Sequence, residues 1–229
     1  MDRYPQNNDY RRQLGLICNN LGLLLLKDSD RMQEAEASLR QALEIREELV
    51  EADAEVADWQ SDLGGSLHNV ALVLQRQRRW QAARNLLDEA ILHQLIARQK
   101  DPAHARYRLF LLYHYDVLAP TLLRLGEYRK AAAAANQLRE VPPESSEYCV
   151  RAARYLAGCA ALADHDAPLP VDQRAKLADA YGEQAVKSLQ KAVELGFHDA
   201  DALNRTADFD PLRERGDFKA LLKHIATPK

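Results

Sequence analysis

The stretch that decides the fold is Asp58-Trp59-Gln60-Ser61-Asp62-Leu63-Gly64-Gly65-Ser66-Leu67-His68-Asn69-Val70-Ala71. Laid on the segment 49 residues earlier, it puts Asp58, Trp59, Leu63, Gly64, Asn69, Val70 and Ala71 on Asp9, Tyr10, Leu14, Gly15, Asn20, Leu21 and Gly22. A further slide of 48 residues brings Tyr107, Leu111, Leu118 and Ala119 onto Trp59, Leu63, Val70 and Ala71. A unit recurring at this period is a structural repeat: one copy cannot bury its own apolar face, and stacked neighbours cover it.

Each copy holds two amphipathic patterns. The first ends in a large-small pair, Leu21-Gly22, Val70-Ala71 or Leu118-Ala119, followed three residues later by Leu25, Leu74 or Leu122. Small residues there let two helix backbones approach, and the apolar neighbours one turn on fill the same face. The second pattern reads Ala35, Leu39, Ala42, then Ala83, Leu87, Ala90, then Ala131, Ala135, Leu138. A fourth, looser copy has Ala157-Gly158 and then Ala185, Leu189, Ala192, separated by an insertion that holds Pro168 and Pro170.

Composition agrees with helices throughout. Ala, Leu, Glu, Gln and Arg dominate the 229 residues, and only nine Gly and nine Pro punctuate them. With 31 basic and 34 acidic residues spread along the chain, no basic stripe marks a nucleic-acid surface. Cys18, Cys149 and Cys159 are an odd set in apolar helical surroundings, which suits reduced buried thiols. The polar N-terminus carries no signal-peptide core, and the longest apolar run, Leu21 to Leu26, is far short of the roughly 20 residues of a membrane span. The expectation is a cytoplasmic protein with no membrane insertion.

The paired patterns resemble the tetratricopeptide repeat, whose signature is a Leu-Gly pair on helix A, an Ala with a bulky residue four later on helix B, and a closing Pro. Ala71 to Ala83 and Ala119 to Ala131 keep the family's spacing of twelve, whereas Gly22 to Ala35 spans thirteen, so the Lys27 to Arg31 turn carries one extra residue. Trp80 and Tyr128 take the aromatic position before the helix-B Ala, and Pro143 stands where the family places its terminating proline. The period near 48 exceeds the usual 34 or so, because both helices are long. This long variant, and the closing run from Ala192-Val193-Glu194-Leu195-Gly196-Phe197 through Asp208-Phe209-Asp210-Pro211-Leu212 to Asp217-Phe218-Lys219-Ala220-Leu221-Leu222, is similar to the C-terminal repeat region of planctomycete serine/threonine protein kinases.

The expected fold is all-α: an α-α superhelix of the tetratricopeptide type with about four helix pairs and a short C-terminal helical cap. The array covers 1–196, in units near 9–52, 58–100, 103–143 and 146–196, and the cap covers 197–229. Helices are expected near 9–26, 32–52, 58–77, 81–99, 103–125, 128–140, 146–163 and 173–195, with Leu39, Leu74, Leu87 and Leu189 in the core. Pro120 removes one backbone bond inside the third A-helix.

No catalytic constellation is legible. Asp208-Phe209-Asp210 lacks the Gly of the kinase metal-binding triplet and the other kinase motifs, so the simpler reading is an aromatic tucked under the last helix. His114 and Asp116 point apart on their helix, and His165-Asp166 has no second histidine at ligand spacing. No metal, cofactor or catalytic residue is expected, and the histidines read as surface or groove positions. The basic-aromatic cluster Arg76, Arg78, Arg79 and Trp80 reads as a helix end.

What the resemblance implies is a concave groove lined by A-helices. Helical spacing from the Gly or Ala then selects the partner-binding candidates Asn19, Leu23, His68, Leu72, Gln75, Tyr113, Asp116 and Tyr155, with Leu16, Leu26, Gly65, Pro120, Leu123, Ala152, Cys159 and Leu162 beside them. Leu23, Tyr113 and Val117 stand where a clamp for a C-terminal carboxylate would need polar or basic groups. A protein or an extended, apolar peptide is therefore the expected partner, with self-association left open. Two roles follow: a protein-protein interaction scaffold, or a regulatory or substrate-docking arm of a larger serine/threonine kinase.

Overall fold

Ten α-helices follow one another in a computed structural model that describes residues 7–140 and 145–226, and the described residues contain no strand. They are α1 (Asn8–Leu25), α2 (Met32–Ala52), α3 (Ala57–Arg76), α4 (Trp80–Lys100), α5 (Ala105–Arg124), α6 (Tyr128–Glu140), α7 (Ser146–Asp164), α8 (Val171–Glu194), α9 (Ala200–Arg205) and α10 (Gly216–Ala226). The first eight lie within two residues of the spans read from the sequence. Pro143 lies outside the described residues.

The helix ends follow from local chemistry. The Asn7 side chain accepts from the Asp9 and Tyr10 amides at 2.9 and 3.4 Å, capping α1. The extra residue between α1 and α2 is absorbed by a 3-10 turn, Ser29–Arg31, whose entry is capped by Asp28. After α3 and α5 the chain leaves through the same device 48 residues apart: the amides of Arg79 and Glu127 reach back to the carbonyls of Leu74 and Leu122, each at 2.9 Å. The residue before each amide is left-handed, with Gly126 at φ 74° and Arg78 at φ 58°. Arg78 is the non-glycine that pays the steric cost of that turn.

The chain forms two compact units, one running to Val117 and one starting at Leu118, so their boundary falls within α5. In the first, α1 packs on α2, α2 on α3 and α3 on α4. Leu39, Leu74 and Leu87, expected in the core, are almost wholly buried there. In the second, α6 packs on α7 and α7 on α8, with Leu189 fully buried. The insertion holding Pro168 and Pro170 forms a turn, and the longest helix, α8, starts directly after it.

The C-terminal segment folds back within the second unit. A 3-10 helix, Ala207–Leu212, lies against α7, and α10 packs on α8 and α9. Phe209 and Phe218 are each 1% exposed and face each other with ring centroids 6.1 Å apart. Asp208-Phe209-Asp210 is thus a capping turn that plugs the end of the second unit with an aromatic ring.

Candidate binding face

Within the first unit, three of the expected groove residues are occupied in holding one A-helix to the next. Asn69 on α3 donates to Asn19 Oδ1 on α1 at 2.8 Å, and Asn19 is itself buried. His68 on α3 and His114 on α5 meet through their Nδ1 atoms at 3.1 Å, so one ring donates and the other accepts. Gln75 Nε2 donates to the Val117 carbonyl on α5 at 3.2 Å. The side chains of Asn19, His68 and Gln75 thus each bond laterally to a neighbouring A-helix.

His114 differs from its expected surface or groove position. It is 1% exposed, because its face of α5 is turned toward α3, where the His68 ring lies 5.0 Å away centroid to centroid. Burial lowers the His68 pKa to about 4. The same burial, with the neighbouring His68, places His114 well below the usual histidine value. Both rings are therefore neutral at pH 7.

The apolar candidates are distributed unevenly. Leu26, Ala152 and Cys159 belong to the core, with Cys159 donating its thiol to the Tyr128 carbonyl at 3.3 Å. Burial pushes that thiol up to about 12, so it is inert at neutral pH. Leu23, Leu72 and Asp116 are half-buried. Tyr113 is 42% exposed, and its ring lies 6.2 Å from that of Phe110, one turn earlier on α5.

In the second unit the expected residues gather around one cleft of about 510 Å³. Pro120, Leu123 and Arg124 of α5 form one wall, and Arg154, Tyr155, Gly158 and Leu162 of α7 form the other. Ala207, Asp208 and Pro211 of the capping turn close one end. Gly158 fixes the width: a Cβ there would sit 3.0 Å from Leu123 Cδ1. Arg154 is paired with Asp208 of the cap.

Arg124, Arg154 and Gly158 were not among the residues selected from the sequence, nor was Arg46. Arg46 is only 7% exposed, and its Nη1 donates at 2.8 Å both to the Asp62 carbonyl and to Ser66 Oγ, tying α2 to α3. Its signal lay in its spacing, since it continues the buried series Leu39, Ala42, Leu43, Leu49. Around it, Arg12 pairs with Asp58 and Asp62 at 3.0 and 3.1 Å, while Tyr107 and Arg106 also hold Asp58. Burial alone would raise the Asp58 carboxyl, but these donors keep it below its ordinary value. The cluster staples the starts of α1, α3 and α5.

Among the described residues, no group of three or more His, Cys, Asp or Glu is placed to hold a metal, and no helix is long and apolar enough to cross a membrane. The three cysteines are free and buried.

A tetratricopeptide-repeat family model matches residues 15–53 and 63–92, which cover most of the α1–α2 hairpin and about two thirds of the α3–α4 hairpin. Packing of consecutive helices, α1 to α4 in the first unit and α6 to α8 in the second, extends that all-α repeat architecture beyond the matched residues. Repeats of this type generally mediate contacts with proteins or peptides and are generally not catalytic. No curated protein matches the chain.

Proposed function

We propose that this chain is a binding scaffold that takes an extended peptide segment of a partner protein along the exposed faces of its A-helices. The supporting observation is the cleft of the second unit, where Tyr155, Leu123, Leu162 and Pro120 offer an apolar floor and Arg124 supplies positive charge at its rim, Arg154 there being paired with Asp208. An amphipathic ring beside leucines is the kind of anchor that carries a large share of interface energy. The charge favours a peptide with an acidic residue next to an apolar one. The chain presents a similar combination to itself, since Asp208 of the cap pairs with Arg154.

The test is selection of peptides from a random display library on the whole chain, followed by affinity measurement with Tyr155→Ala and Arg124→Glu. Enrichment of acidic-apolar peptides, weakened roughly tenfold or more by each substitution, supports the reading. Enriched peptides that bind both variants as well as the parent would place the site elsewhere.

A second reading makes the chain a docking or regulatory arm of a serine/threonine kinase. It is supported by the closing segment from Ala192 to Leu222, which carries the kinase resemblance and whose part beyond α8 packs on α7 and α8. A native reading frame that continues upstream of Met1 into a kinase domain would favour it, and an upstream stop codon would remove it.

A further inference from the structure

The slide of 49 residues that reveals the repeat also reveals an uncovered face. On α3, Leu63, Ser66, Val70 and Val73 are at most 4% exposed. Ser66 shows what this side meets, because it accepts the Arg46 guanidinium of α2, the preceding B-helix. Their counterparts on α1 are Leu14, Ile17, Leu21 and Leu24. Ile17 is 62% exposed, Leu21 47% and Leu24 63%, and Tyr10, the counterpart of Trp59, is 55% exposed. Five of the ten exposed large hydrophobic residues in the described chain lie on this single helix. No described helix occupies the place that α2 takes against α3.

We infer that this face of α1 is a self-association surface, on which the α1 helix of a second copy packs antiparallel about a two-fold axis through Ile17. At 100° per residue, Tyr10, Leu14, Ile17, Leu21 and Leu24 form one stripe of α1, Asp9, Gln13 and Asn20 lie along one flank of it, and Lys27 follows in the turn directly after the helix end. A two-fold axis perpendicular to an antiparallel pair brings that flank of one helix beside the same flank of the other, in reversed order. Ile17 then meets its own counterpart, Tyr10 meets Leu24, and Leu14 meets Leu21. On the flank, Gln13 falls beside Asn20 and Asp9 beside Lys27, all four being exposed.

The pairing is self-complementary in size, hydrogen bonding and charge. A parallel pair would instead set this flank against the opposite one, where the buried Cys18 and Leu25 lie, and would lose the pairing. Apolar stripes of this extent are uncommon on lone proteins and mark interaction sites. An isologous contact also closes on itself, so it yields a dimer rather than a filament.

Sedimentation equilibrium of the intact chain tests this. The expected result is a concentration-dependent species of twice the 25.9 kDa chain mass. Ile17→Glu should return the chain to monomer while its circular dichroism and melting temperature stay close to the parent's, since the side chain is mostly exposed. Asp9→Lys and Lys27→Asp should each weaken the dimer several-fold, and the double variant should restore it because the two charges exchange places across the axis. A chain that stays monomeric into the high micromolar range overturns the inference. So does a dimer indifferent to Ile17→Glu, or charge variants that do not rescue each other.

Discussion

At the scale of single residues, the two glycines that the repeat aligns, Gly15 and Gly64, do different work. A Cβ on Gly64 would lie 2.9 Å from the Ala90 carbonyl oxygen, a backbone atom of α4 that cannot swing aside. A Cβ on Gly15 would meet Ile45 Cγ2 at 3.4 Å, an ordinary contact. Replacing a mid-helix Gly by Ala gains about 0.5 to 1 kcal/mol from backbone entropy, whereas overpacking a tight contact costs about 1 to 3 kcal/mol. Gly64→Ala should therefore destabilise the chain by about 1 to 2 kcal/mol net of the propensity gain, and Gly15→Ala should be neutral or mildly stabilising. Chemical denaturation of the two variants checks both signs, and equal effects would show that helix spacing does not distinguish the two positions. The sequence alone could align these glycines but could not rank them, because it does not show how closely α3 approaches α4.

At the scale of elements, the junction of α3 and α5 carries an acid-sensitive bond. The His68 imidazole titrates near 4 in the folded chain and His114 also lies well below its ordinary value, because burial penalises the charged ring. In the unfolded chain both titrate near 6.5. On acidification the unfolded state takes up protons first, so stability is fully present above about pH 6.5 and is lost as pH falls toward 4. For His68 the loss approaches about 3 kcal/mol, less whatever solvent reaches the ring edge. His68→Gln should flatten the melting temperature between pH 6.5 and 4, while carboxylates such as Asp58, whose folded value is lowered, act mainly below that window. A variant with an unchanged pH profile would show that the pair is not the sensor. Helix spans, the buried Leu series and the Asp208-Phe209-Asp210 turn were legible because a 3.6-residue period and capping chemistry are local. The histidine pair, the Asn19–Asn69 bridge and the Arg46 staple were not, because each joins residues at least 16 apart through a packing angle that no local pattern encodes.

At the scale of the whole chain, the expectation that helical spacing reads out groove residues needs a finer distinction. A residue on the inner side of an A-helix can reach its neighbour or reach solvent. Asn19, His68 and Gln75 reach neighbours, whereas Tyr113, at 42% exposed, reaches solvent beside the Phe110 ring. Truncating a group that only bridges helices lowers stability and leaves the affinity of the folded fraction intact. Truncating one that meets a ligand does the reverse. Tyr113→Ala should therefore weaken binding of a selected peptide by about 1 to 3 kcal/mol, as interface aromatic anchors do. Its melting temperature should fall by much less than that of Leu87→Ala, where a fully buried side chain is removed at about 2 to 5 kcal/mol. Titration calorimetry and thermal melts on the same three preparations separate the roles. Should Tyr113→Ala keep the parent affinity and melt as early as Leu87→Ala, the ring is packing between helices, and the binding face would be confined to the cleft around Tyr155.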